Sequence, residues 1–71
     1  PSPVIDELNV NCNEIIREIK VIDIKGSQIY SLSNHDSSTI TIPSVSWASG
    51  VYTIVVKVED GSLITEKVIK Q

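Results

Sequence analysis

Apolar side chains recur at every second position along most of this chain, and a period of two rather than 3.6 confines it to strands. The clearest stretch runs from Val51 to Val58, with Tyr52, Ile54, Val56 and Val58 on one face and Val51, Thr53, Val55 and Lys57 on the other. A first strand is expected over about Val4 to Cys12, with Leu8, Val10 and Cys12 inward and Glu7, Asn9 and Asn11 outward. A second covers about Arg17 to Asp23, with Ile19 and Val21 inward, and a third about Gln28 to Leu32. Thr39-Ile40-Thr41-Ile42 alternates as a fourth, which Pro43 ends or pushes to an edge because it has no N–H to give a ladder. The last strand, Ser62 to Lys70, alternates poorly: Leu63 and Ile69 face one way, Ile64 and Val68 the other, which predicts a bulge or coverage on both faces.

One segment also fits a helix. Ile15, Ile16, Ile19 and Ile22 have helical spacing, with Asn13 in a capping position. The strand reading is preferred, since four Ile and one Val between Asn13 and Ile22 carry low helix propensity and suit a pleated surface. Turn chemistry punctuates the pattern. Asp23-Ile24-Lys25-Gly26 and Glu59-Asp60-Gly61 each end on a Gly that accepts positive φ, Asn34 to Ser38 is a polar loop, and Pro43 to Ser49 is an irregular connection carrying Trp47. Together these features predict an all-β domain, a small antiparallel two-layer immunoglobulin-like β-sandwich of about seven short strands.

Size and charge narrow the function. A chain of 71 residues makes one small domain that buries only about 60% of its unfolded surface and has little room for a deep catalytic cleft. It contains no Met and begins at Pro1, so it is expected to be a fragment of a larger protein. Six basic against nine acidic residues give a net charge of −3 without a cluster of Lys and Arg, which argues against nucleic acid as a partner. The longest apolar run is Ile54-Val55-Val56, far short of the ~18 residues of a membrane-spanning helix, so no membrane insertion is expected.

Catalytic chemistry is sparse. Enzymes need convergent acids, bases or nucleophiles, and this chain has one His, one Cys and scattered carboxylates, so no enzyme activity and no cofactor are expected. His35 and Asp36 adjoin on the most polar loop, where a solvated turn accounts for them better than a catalytic pair. Cys12 falls on the apolar side of its strand and reads as a small core side chain. No metal site is expected, because Glu59 and Asp60 have no third or fourth oxygen ligand at suitable spacing.

Several segments then fall in one order: Pro1-Ser2-Pro3 with Asp6, Leu8 and Val10; Val21-Ile22-Asp23-Ile24-Lys25-Gly26 with Ile29; Ser49-Gly50-Val51-Tyr52; Asp60-Gly61; and Glu66-Lys67-Val68-Ile69-Lys70. The ordered set resembles the C-terminal sorting domain of the type IX secretion system, of the type A kind carried by secreted proteins of Gram-negative Bacteroidota. It departs from the usual pattern in Ser2 for Asn, Trp47 for Leu, and Glu66-Lys67 for two Lys. The resemblance implies a secretion signal on an N-terminal cargo. The domain would fold in the periplasm, be recognised there by components of the outer-membrane translocon, and be cleaved by a sortase-like surface protease, leaving the cargo at the cell surface or outside the cell. By analogy, Gly50, Tyr52, Gly61, Lys67 and Lys70 are the candidate signal residues, with Lys67 and Lys70 expected as exposed charges and Gly50, Gly61 and Tyr52 also explicable as turn and core residues. Exchange of the last strand between two copies predicts a weak homodimer at high concentration. The competing reading is an immunoglobulin-like adhesion or spacer module of a larger surface protein.

Overall fold

The computed structural model describes residues 3, 4 and 6–71, with side chains from Asp6 onward. Pro1, Ser2 and Ile5, which hold the opening of the motif and part of the expected first strand, lie outside the described residues. Six strands form: β1 (Pro3–Val4), β2 (Glu7–Ile22), β3 (Gln28–Leu32), β4 (Ser37–Pro43), β5 (Gly50–Val58) and β6 (Leu63–Lys70). The all-β expectation holds, and the segment with helical spacing is extended. The count of about seven does not hold among the described residues, because the strands expected at Val4 to Cys12 and Arg17 to Asp23 are one strand of 16 residues. Asn13 and Glu14 look like a break because they are polar, yet they stay extended while the strand changes partners.

Those partners explain the architecture. The strand order is β1-β6-β5-β2-β3 with β4 also paired to β2, and every pair is antiparallel except β1 with β6. Glu7 to Asn11 of β2 pair with β4, whereas its second half pairs with β5 from Ile16 and with β3 from Ile19. Between the halves the register slips. Asn11 faces Thr39 and Ile16 faces Ser37, after which Ile16 faces Val58 and Glu18 faces Lys57, leaving Arg17 as one extra residue. An extra residue reverses which positions point inward. Leu8 and Ile16 are therefore buried at even positions before it, and Ile19 and Val21 at odd positions after it. This frame shift is what imitates helical spacing in the sequence.

At the slip β2 passes from β4 to β5 and β3. Leu8, Ile40 and Ile42, from the first half of β2 and from β4, join Ile16, Ile19, Val21, Ile54, Val56, Val58 and Val68 in one core. A single hydrogen-bonded sheet thus supplies the whole core, within overall extents of 32 × 21 × 19 Å. Arg17 latches the corner: its guanidinium donates to Asp36 Oδ1 at 2.9 Å and lies 3.6 Å from Glu59 Oε1, while its carbonyl accepts from the His35 N–H. These exposed ion pairs are worth little singly, about 0.2–1 kcal/mol, so aliphatic burial carries the fold.

The two Gly-containing turns share one design. Asp23 N–H donates to Ser27 O and Gly26 N–H to Asp23 O; likewise Val58 N–H donates to Ser62 O and Gly61 N–H to Val58 O. Each is a three-residue hairpin loop whose last residue takes positive φ. Neither expected explanation of the irregular last strand holds, since β6 pairs with β5 without a register shift and Leu63 and Ile69 stay exposed.

Candidate functional site

The C-terminal hairpin of β5 and β6 carries all five candidate residues. Its register runs unbroken from Gly50 opposite Lys70 to Lys57 opposite Leu63. Gly50, Tyr52 and Lys70 therefore cluster at the open end, and Gly61 sits in the closing turn, roughly 25 Å away at the usual rise per residue. Lys67 faces Thr53 on the outer side of the sheet. The structure does not bring the five into one patch.

Lys70 corrects an expectation. It was read as an exposed charge, but it is only 7% exposed, on the inward side of β6 with Val68. It shares that face with Val68 by the two-residue period of the strand, and its partner across the ladder is Gly50. Lys70 Nζ donates to the Gln71 backbone oxygen at 2.8 Å, so burial of the stem leaves the ammonium hydrogen-bonded. Lys67 is exposed, as expected.

Tyr52 is 6% exposed and belongs to the core. Its ring lies 4.9 Å from that of Trp47, tilted by 41°, and its hydroxyl donates to the Ala48 carbonyl at 2.6 Å. Ser44 N–H donates to Asp6 O, and Trp47 N–H to Ser44 O. The irregular connection between β4 and β5 is thus tied at both ends, and Tyr52 ties it to the C-terminal hairpin. Gly61 has φ of 91° and Gly50 of 151°, with nothing within 4 Å of an added Cβ at either. Conformation, and not lack of space, calls for glycine at both. Asp60 Oδ1 accepts from Ser62 N–H at 2.8 Å, and bonds from the Ser62 hydroxyl and then this N–H hold its carboxyl below the usual range.

Reasoning from the sequence missed the outer face of the hairpin. Leu63 (65% exposed), Ile69 (45%) and Val51 lie there with Lys67 and Lys57, and the pairs Val51–Ile69 and Lys57–Leu63 stand directly across from each other. The broken alternation of β6 was its only signal. β1 lies alongside the last residues of this face, Pro3 opposite Ile69 and Val4 opposite Lys70. The His35 and Asp36 side chains point to separate partners: His35 Nε2 is 2.8 Å from Thr39 O, and Asp36 is held by Arg17.

No curated protein matches the chain. The family model described as "Secretion system C-terminal sorting domain" matches it over residues 1–71, covering every segment of the ordered set and the whole hairpin. The chain belongs to this family of type IX secretion sorting signals, which is a family of export signals and not of enzymes.

Proposed function

We propose that these residues form a single folded domain, part of a larger secreted protein, that carries an N-terminal cargo across the outer membrane. The translocon reads the domain after it has folded in the periplasm. We read its sheet as an open variant of an immunoglobulin-like sandwich, with both layers joined through β2. A sortase-like surface protease then separates it from a cargo that ends at the cell surface or outside the cell, in a host of the Bacteroidota.

The observation that carries this reading is the family match over the full chain, together with a closing hairpin whose outer face is apolar, basic and uncovered. Burial of exposed Leu, Ile and Val against a partner is favourable by about 25 cal/mol per Å², and Lys67 adds orientation, whereas Lys57 lies 3.7 Å from Glu18 Oε2. Gly50, Tyr52, Gly61 and Lys70 act by shaping the hairpin, and Lys67 by direct contact. Above the β1 pairing, the β6 edge from Leu63 to Val68 has no strand beside it among the described residues, which gives strand exchange between two copies a route at high concentration.

Fusion of residues 1–71 to a periplasmic reporter in a host with a working type IX system tests the proposal. Export is expected for the intact fusion and loss of export for Ile19→Asp, which puts a charge at a fully buried position and unfolds the domain. Export of the unfolded variant would show that folding is not what the translocon reads. Retention of the intact fusion, while a known signal is exported, would refute the sorting role.

A further inference from the structure

The inward face of β6 is only partly covered. Val68 is buried, but Ile64 is 42% exposed, and beside it a groove of about 680 Å³ separates the first half of β2 from β6. Ile54, Val56, Val58, Ile64 and Val68 form an aliphatic floor, and β2 from Glu7 to Glu14 forms one wall.

That wall is a strand edge with its hydrogen-bonding groups turned outward. Ser44 N–H donates to Asp6 O at 2.8 Å, which makes Asp6 and Ser44 a hydrogen-bonded pair. In an antiparallel ladder bonded and non-bonded pairs alternate, so Leu8 and Val10 direct their N–H and C=O to β4, and Glu7, Asn9 and Asn11 direct theirs the other way. Pro43 opposite Glu7 agrees with this phase, since a residue without an N–H fits a non-bonded pair. Among the described residues no strand pairs with that edge of β2 between Glu7 and Asn11.

The groove is also acidic. Glu7, Glu14 and Glu66 line it, no Lys, Arg or His does, and none of the three has an ion-pair partner among the described residues. The Cys12 thiol on the same wall is raised by burial first and then by Glu66 and Glu14, as a negative field across the groove requires. A second copy is a poor occupant, because its own edge carries Asp6, Glu7 and Glu14 and no basic residue before Arg17.

We propose that this groove is a strand-addition site for an extended partner segment in which apolar and basic residues alternate. Its backbone continues the ladder at Glu7, Asn9 and Asn11, its apolar side chains cover Ile64, Val56 and Val68, and its basic ones lie on the opposite face with Glu7, drawn also by the field of Glu14 and Glu66. The site deepens the sorting reading by giving a strand of the export machinery a seat, and rests on that reading only for who supplies the strand.

Titration of the 71-residue chain with a short peptide alternating Lys and Val, followed by calorimetry and amide NMR, tests the site. Binding is expected, with new hydrogen-exchange protection at the Glu7, Asn9 and Asn11 amides, and none for the matching Glu and Val peptide. Glu14→Lys with Glu66→Lys weakens binding by about tenfold or more, since the field of the groove now repels a basic segment. Asn11→Pro, which removes one outward N–H from an edge that tolerates proline, weakens it by a similar factor on the order of tenfold. Circular dichroism checks that each variant is folded, and the protection pattern of the unmodified chain stands in for any that is not. No binding, equal binding by folded Asn11→Pro, protection elsewhere, or self-association through the same amides each overturns the proposal. Reporter export keeps the two readings apart: failure of the intact fusion sinks the sorting role, whereas export alongside absent peptide binding sinks the groove alone.

Discussion

Tyr52→Phe separates a shaping role from a contact role at the signal hairpin, because it deletes one atom that the structure assigns to the fold. The lost hydroxyl donates to the Ala48 carbonyl at 2.6 Å, while the ring and its 4.9 Å approach to Trp47 stay in place. A typical hydrogen bond contributes about 0.5–1.5 kcal/mol, and Ala48 is exposed, so water can solvate the freed carbonyl and the cost falls at the low end, about 0.5–1 kcal/mol. Tyr52→Ala removes a buried ring as well and costs about 3–5 kcal/mol. A domain of this size has roughly 4–11 kcal/mol in total, so the second variant is near the limit of folding. Urea denaturation followed through Trp47, the sole tryptophan, reads both values directly. Export of a reporter should track them, near normal for Phe and strongly reduced for Ala. Lost export in Tyr52→Phe with stability unchanged would refute the reasoning, since the hydroxyl would then serve a partner.

Further expectations concern the other hairpin residues and the groove. Gly50→Ala and Gly61→Ala should each cost about 1–3 kcal/mol in denaturation, because both glycines hold positive φ, and wild-type stability in either would remove the conformational argument. Lys67→Ala should leave stability within about 0.5 kcal/mol while lowering export, and unchanged export would remove Lys67 from the contact surface. Lys70→Met keeps the buried stem and should change stability by less than about 1.5 kcal/mol, whereas a larger loss would mean that the ammonium itself holds the strand end. Cys12 favours its protonated form in the fold, so that contribution is present below the ordinary thiol range and is lost as pH rises through the raised value. Its alkylation profile with pH should move to lower pH in Glu66→Gln, only in part because burial is the larger cause, and an unmoved profile would deny the field of Glu66.

How far the sequence could be read follows from which facts are local. Facing within a strand depends on a period of two, so Leu8 with Val10, Ile40 with Ile42, and Tyr52 through Val58 could be oriented from the chain alone; the first and last pairs line one core as expected. The two turns were equally plain, because Asp with a following Gly stabilises the same loop wherever it occurs. Family membership was legible too, since it rests on ordered short segments and not on contacts.

What the tertiary structure decided are matters of partner and register. That β2 is one strand serving two sets of partners could not be seen from Asn13 and Glu14, because a polar pair looks the same in a loop as in a strand changing partners. That Lys70 is buried, and that Gly50 stands across from it, depends on how β6 pairs with β5, and no local pattern encodes a cross-strand partner. The open edge of β2 and the uncovered outer face of β6 likewise exist only once the strands have paired. Pairing between residues far apart in the chain determines which edges and faces are left without a neighbour, and those are the surfaces a partner can reach.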